Sequence, residues 1–122
     1  MSESVKANKI LVIDDNQDAA DITAELLQIL GFETMVAYDG VSAIGIAQQY
    51  QPAVIFCDIG MPEMDGYEVI ATLRAMPSLN DTRIVALTAW SDQKTRIKVI
   101  AAGFHSHLLK PASLEALLHH AS

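Results

Sequence analysis

The sequence predicts an α/β fold: one open, doubly wound, five-stranded parallel sheet of order 2-1-3-4-5, covered by five helices. Two observations predict it. Apolar, β-branched runs alternate with segments of helical period along almost the whole chain. Those runs are also apolar throughout, as strands covered on both faces must be. Parallel neighbours need right-handed helical crossovers, which put helices on both faces of one sheet. With 122 residues, 51% of them hydrophobic, the chain suffices for one domain with an adequate core.

Lys9–Ile13 (Lys-Ile-Leu-Val-Ile) is the first strand. Asp18–Leu30 is the first helix, with Ile22, Leu26, Ile29 and Leu30 at helical spacing, and Gly31 stands where a helix C′ residue belongs. Glu33–Tyr38 is the second strand and Asp39-Gly40 a turn. Val41–Tyr50 is the second helix, weakened by Gly45, since an interior glycine costs about 1 kcal/mol. Ala53–Cys57 is the third strand, and the loop 59–65 is irregular but constrained by Gly60, Pro62 and the nearby Gly66. Tyr67–Ala75 is the third helix, with Val69, Ile70 and Leu73 on one face, and Pro77 ends it. Arg83–Leu87 is the fourth strand. Gln93–Ala102 is the fourth helix, closed by Gly103. His105–Leu109 is the fifth strand, diluted by two histidines and a serine. Ser113–Ala121 is the last helix, with Leu114, Leu117, Leu118 and Ala121 in register. Residues 1–8 form a polar tail ahead of a domain over residues 9–122.

Four signatures stand at the carboxyl ends of these strands: Asp14-Asp15, Asp58, Thr88 and Lys110-Pro111. In an open parallel sheet ligands bind beyond those ends, at the switch between strands 1 and 3. Carboxylates gathered there repel: at about 4 Å each pair costs roughly 4 kcal/mol at an effective dielectric near 20. A hard divalent cation relieves that cost, and all-oxygen ligands point to Mg²⁺ or Mn²⁺. Phosphoryl transfer needs a nucleophile and neutralisation of the phosphoryl oxygens. Asp58, alone at the end of the central strand, is the candidate nucleophile and would form an aspartyl phosphate. Lys110 offers a positive charge and Thr88 a hydroxyl to the phosphoryl oxygens, while Asp14 and Asp15 hold the metal.

Lys9-Ile-Leu-Val-Ile-Asp-Asp15, Asp58-Ile-Gly-Met-Pro-Glu-Met-Asp-Gly-Tyr-Glu68, Ala86-Leu-Thr-Ala89 and Leu109-Lys-Pro-Ala112 together resemble the receiver domain of two-component response regulators. The resemblance covers about residues 8–120 and implies the flavodoxin-like arrangement of the same five βα units. It implies Asp58 as phosphoacceptor, and Asp15, Asp58 and the backbone carbonyl of Gly60 as metal ligands, with Asp14 acting through water. It also implies Thr88 and Lys110 as the catalytic hydroxyl and lysine, and a cis bond before Pro111. The donor would be a sensor histidine kinase or a histidine phosphotransfer protein. The output would pass to an attached domain or a separate effector through the fourth helix, fifth strand and fifth helix, which carry Val99, His107 and Leu118. The expected product is a signalling switch that catalyses its own phosphorylation and dephosphorylation, not a turnover enzyme. Two features depart from the family's commonest pattern. His107 occupies the place of an aromatic switch residue, and Gly60 stands two residues after the acceptor. Trp90 is bulky for its place two residues after Thr88, beside the crevice.

Blander readings exist for single residues. Asp14 or Asp15 alone is a plausible helix cap, Thr88 an ordinary strand end and Lys110 a solvated lysine; their joint order favours the site. Cys57 reads as a buried inert thiol, pointing away from Asp58's side chain by strand alternation. One cysteine excludes an internal disulfide and fits a reducing compartment. His105, His119 and His120 read as solvated or core-edge residues without zinc spacing, and Met61 and Met64 as packing. The net charge of −7 argues against a nucleic-acid surface. No run has membrane-spanning length, and the polar start is no signal peptide, so the expected compartment is the cytoplasm. An aspartate-based phosphohydrolase is disfavoured because Gly60 stands where a second aspartate would act. A flavin or nucleotide carrier is disfavoured because no glycine-rich phosphate loop is present. A stand-alone regulator and a receiver from a larger regulator or hybrid kinase both fit.

Overall fold

The computed structural model describes residues 8–61, 64–89 and 92–122. It contains a five-stranded sheet of order β2-β1-β3-β4-β5, where β1 is Lys9–Ile13, β2 Glu33–Ala37, β3 Val54–Asp58, β4 Arg83–Thr88 and β5 Ser106–Leu109. All four pairings are parallel. Five α-helices follow the strands: α1 Gln17–Ile29, α2 Gly40–Tyr50, α3 Gly66–Arg74, α4 Gln93–Ala102 and α5 Leu114–Ala121. The predicted architecture is the observed one. Among the described residues, no helix is long and apolar enough to cross a membrane.

Strand alternation sorts the core into two layers. Leu11, Ile13, Ile55, Cys57, Ile84 and Ala86 face one side, against Ala43 and Ala47 of α2, Val69, Ile70 and Leu73 of α3, and Val99 of α4. Ile10, Val12, Val54, Phe56, Val85, Leu87 and Leu108 face the other, against Ala20, Ala24 and Leu27 of α1 and Leu117 and Ala121 of α5. Burying each larger aliphatic or aromatic side chain contributes about 1.5–3 kcal/mol. Helix α4 is the exception among the helices, because Val99 is its one buried residue. Its Lys94, Arg96, Ile97, Lys98 and Ile100 are exposed.

Several boundaries and faces differ from the sequence expectation. Helix α1 buries Ala20, Ala24 and Leu27, whereas Ile22 and Ile29 are 56% and 74% exposed. Hydrophobicity pointed to the larger side chains, but small alanines let the helix approach the sheet closely. Asp39-Gly40 is no turn. Asp39 caps α2 by accepting from the Ser42 amide at 2.7 Å, and Gly40 is its first residue. A side chain at Gly40 would stand 2.7 Å from Met64 Sδ, so the glycine permits that contact. Gly45 is exposed and leaves α2 unbroken. Helix α3 starts at Gly66 under a capping box of Asp65 and Glu68 and ends at Arg74. Pro77 opens a short 3-10 turn, Pro77–Leu79. On α5, Leu117 and Ala121 are buried while Leu114 and Leu118 are 40% and 43% exposed. Gly31 and Gly103 end α1 and α4 at positive φ, as expected.

Thr82 secures the entry to β4. It is 3% exposed, and its hydroxyl donates to the Pro52 carbonyl at 2.8 Å, tying the lead-ins of β3 and β4 together. Thr82→Val keeps the shape but removes that donor. Its expected cost in urea denaturation is about 1–3 kcal/mol, the penalty for a buried carbonyl losing its partner.

Candidate functional site

The crevice is built by backbone hydrogen bonds that run one residue beyond the strands. The Asp14 amide donates to the Ala37 carbonyl (3.1 Å), the Ile59 amide to Leu87 (3.2 Å) and the Lys110 amide to Thr88 (2.8 Å). These bonds carry the sheet's order into the starts of the loops after β1, β3 and β5, beside the candidate residues. Strand β3 also runs one residue further than expected, so Asp58 is its last residue and pairs in register with Leu87. Strand β4 likewise ends on Thr88 itself. The Lys110–Pro111 peptide is cis.

Asp14, Asp15 and Asp58 converge, with one oxygen of each lying within 4.8 Å of the others. Asp14 and Asp58 are buried, at 1% and 7% exposure, while Asp15 is open to solvent. Asp14 caps no helix; Asn16 does, accepting from the Ala19 amide at 3.0 Å. Asp14 instead accepts from the Asn16 amide at 3.0 Å through Oδ1. Its Oδ2 accepts from Lys110 Nζ at 2.8 Å. Lys110 Nζ stands 3.7 Å from Asp58 Oδ2. Asp58 Oδ1 accepts from the Gly60 amide at 3.0 Å. Thr88 is 2% exposed and lines, with Asp58, Ile59, Gly60, Ala89 and Lys110, a cavity of about 230 Å³.

The electrostatics follow from this packing. Burial is the chief cause that pushes the Asp58 carboxyl up, and the Asp14 charge adds to it. The Gly60 amide and Lys110 oppose them, and the outcome is about 6 against an ordinary 3.8. Burial pulls Lys110 downward, but its hydrogen bond to Asp14 and the charges of Asp58, Asp14 and Asp15 outweigh that, so its ammonium is held more firmly than usual. Two buried carboxylates and an exposed third around an open oxygen cluster fit a hard divalent cation that keeps some of its waters. Asp14, Asp15 and Asp58 are the side chains that would hold Mg²⁺ or Mn²⁺, and no His or Cys joins them among the described residues.

Gly66 is a supporting residue that motif spacing alone marked only as part of a constrained loop. A Cβ there would stand 2.5 Å from Ile59 Cα and 2.7 Å from the Asp58 carbonyl oxygen. Its missing side chain therefore lets the start of α3 press on the backbone that carries Asp58 and Gly60. The signal was present in Asp65-Gly66, where a cap is followed by a residue without Cβ. The other expectations resolve simply. Cys57 is fully buried in the core, and burial pushes its thiol far up, so it is inert. Met61 is buried and Met64 packs against the core. His107 is half-buried on β5. Trp90 lies outside the described residues.

Comparison with known proteins agrees with this geometry. The profile described as "Response regulator receiver domain" matches residues 10–122. Transcriptional regulatory protein PrrA of Mycobacterium tuberculosis is 36% identical over 118 residues, covering 97% of this chain and 50% of PrrA. The chain thus spans about half the length of that relative. The structure of chemotaxis protein CheY4 of Vibrio cholerae superposes with a TM-score of 0.86 at 32% identity, covering 91% of this chain and 92% of that one. A Burkholderia pseudomallei response regulator, solved with a phosphorylated aspartic acid, a calcium ion and citrate, superposes at 0.85 with 28% identity, covering 94% and 66%.

The raised Asp58 carboxyl has a consequence for stability without metal. Between 3.8 and about 6 the folded chain holds a proton that the unfolded chain has released. This group therefore adds stability as pH falls through that window and costs stability above it. Asp58→Asn is expected to raise the melting temperature at pH 7.5 in EDTA, with the gain shrinking as pH approaches the unfolded value. Thermal melts of both proteins across that range measure it; an equal gain at every pH would assign the effect to packing and not to charge.

Proposed function

We propose, since the chain belongs to the response regulator receiver family, that it is the phosphoacceptor of a two-component phosphorelay, with Asp58 as acceptor. The observation that carries this reading is Asp58 at the end of the central strand, facing Lys110 and accompanied by Asp14 and Asp15. The proposed receiver domain covers residues 9–122, with residues 1–8 as a tail. The donor is a sensor histidine kinase or a histidine phosphotransfer protein, working in the cytoplasm. The recipient of the signal is an attached output domain or a separate effector.

The chemistry follows from the residues. An oxygen of the Asp58 carboxylate attacks phosphorus in line with the donor nitrogen. The P–N bond breaks, its electron pair returns to the donor imidazole, and an acyl phosphate remains on Asp58. Lys110, already between Asp14 and Asp58, turns its ammonium to a phosphoryl oxygen. The Thr88 hydroxyl donates to another. Asp14, Asp15, Asp58 and the Gly60 carbonyl would hold a divalent cation, whose charge offsets that of the carboxylates and of the phosphoryl oxygens. Phosphorylation shifts a two-state equilibrium of the face made by α4, β5 and α5, through Thr88, Trp90 and His107. Gly60 brings no acid or base to the acceptor, which supports a held phosphoryl group over a rapid hydrolase. The same crevice supports dephosphorylation by water.

Acetyl phosphate with Mg²⁺ is expected to add one phosphoryl group, stable to denaturation and removed by hydroxylamine. Intact-mass analysis of Asp58→Asn should show none; full labelling of that variant would displace Asp58 as the nucleophile. Asp15→Asn should lose most of its Mg²⁺ affinity by calorimetry, and unchanged binding would remove Asp15 from the ligand set.

His107 generates a further expectation. It stands half-buried on β5, at the place the family gives to an aromatic switch residue. His107→Tyr is expected to leave labelling of Asp58 by acetyl phosphate nearly intact and to change the shifts that beryllofluoride causes on α4 and α5 by NMR; identical shifts in both proteins would exclude His107 from the readout.

A further inference from the structure

All four histidines of the chain fall within residues 105–120, at the edge of the sheet opposite β2. His105 leads into β5, His107 lies on it, and His119 and His120 occupy the last turn of α5. His120 is half-buried, and its Nδ1 stands 3.0 Å from Ser106 Oγ on β5. The His119 and His120 rings meet edge to face, 5.1 Å between centroids. From β4, Arg83 Nη2 donates to the Ala121 carbonyl at 3.2 Å. The end of α5 is therefore fastened to the sheet at two neighbouring points, Ser106–His120 and Arg83–Ala121.

The groups that act on His120 are all basic. Burial, the largest cause, pushes its pKa down, and His119 on its own helix, His105 and His107 from β5 and its lead-in, and Arg83 from β4 add to it. A helix carboxyl end ordinarily favours an imidazolium. Here two of the last carbonyls already have donors. Arg83 already occupies the Ala121 carbonyl, and the Ser122 amide and hydroxyl both donate to the Leu118 carbonyl, at 3.1 and 2.7 Å. An imidazolium at His120 would be a second cation beside a guanidinium. The Ser106 bond itself survives protonation, because a hydroxyl donates or accepts equally well. What protonation adds is repulsion and the desolvation of a charge.

We propose that His120 is a proton-controlled clasp, seating the last turn of α5 on β5 as the neutral imidazole and releasing that turn as the imidazolium. In the unfolded or opened segment a histidine takes its proton near pH 6.5, about its ordinary value; in the seated segment it does so only at lower pH. Between those two values the released form binds more protons. Seating therefore weakens as pH falls through the ordinary value, and the loss is complete below the seated one. Local release is the expected response, since α5 buries only Leu117 and Ala121 and the β5 edge beneath its end is itself only half-buried at Ser106 and His107. This inference stands on the packing of α5 and is independent of what Asp58 does.

Two NMR measurements on the full chain between about pH 5 and pH 8, the span in which histidine titrates, test it. The first follows the His120 ring in the wild type and needs no variant. Its midpoint is expected below that of free histidine, and a midpoint at or above about 6.5 overturns the proposal. The second measures amide exchange at residues 117–121, corrected for intrinsic rates and referenced to Val12 in the core. Wild type is expected to lose protection there several-fold on acidification. His120→Asn keeps a partner for Ser106 but cannot titrate, and its protection should be unchanged by pH. The same acid-dependent loss in His120→Asn would overturn the proposal.

Discussion

Two buried carboxylates under a single ammonium are the constraint around which this chain is organised. Asp14 and Asp58 come from different strands, and Lys110 reaches both from the far end of the sequence, 2.8 Å from one and 3.7 Å from the other. Bringing like charges out of water is unfavourable, and one cation leaves them undercompensated. The raised Asp58 carboxyl records that cost. Asp14 and Asp58 are held by strands β1 and β3, buried but for Lys9, and backbone bonds carry the ladder into the loops, Lys110 included. A crevice of this kind is stable only because the sheet beneath it is. It is useful because the added charge of a metal or the rearrangement caused by a phosphoryl group has a large electrostatic imbalance to act upon.

The sheet order and the gathering of the candidate residues were both legible in the sequence, for related reasons. Fully buried parallel strands must be continuous apolar runs, so β1, β3 and β4 announce themselves. Polar residues that interrupt such runs at their carboxyl ends stand out against them, which is why Asp14, Asp58 and Thr88 could be picked as a set. Lys110 was legible through its proline neighbour and its position after the last run. The helix faces were less legible. Hydrophobicity favours large side chains, yet α1 approaches the sheet through Ala20 and Ala24 and leaves Ile22 and Ile29 in solvent. Caps were also misassigned. Asp39 read as a turn residue because a turn and an N-cap use the same side-chain acceptor. The support given by Gly66 needed coordinates, since nothing in a one-dimensional pattern shows that a missing Cβ faces the Asp58 carbonyl at 2.7 Å.

The two faces of the sheet are not equivalent. On one, α1 and α5 cover β1, β3, β4 and β5 through Leu27, Leu117 and Ala121. On the other, α2 and α3 are well buried, while Arg74 of α3 reaches across to the Gly103 and Thr82 carbonyls at 3.1 and 2.8 Å. This guanidinium ties the end of α4 to the start of β4 without burying α4 itself. The helix is thus held at its carboxyl end by hydrogen bonds and at Val99 by packing.

That attachment has an evolutionary reading. A surface held by one buried side chain can be rewritten almost anywhere without disturbing the core, because exposed substitutions usually change stability by less than about 0.5 kcal/mol. Apart from Lys98, whose ammonium lies 4.4 Å over the Tyr67 ring, the exposed positions of α4 carry little structural obligation. Their present text, Lys94, Arg96, Ile97 and Ile100 with no acidic residue, stands out on a chain of net charge −7. A lineage that duplicates such a domain can diverge in this helix alone, so that two copies with identical chemistry at Asp58 come to answer to different company.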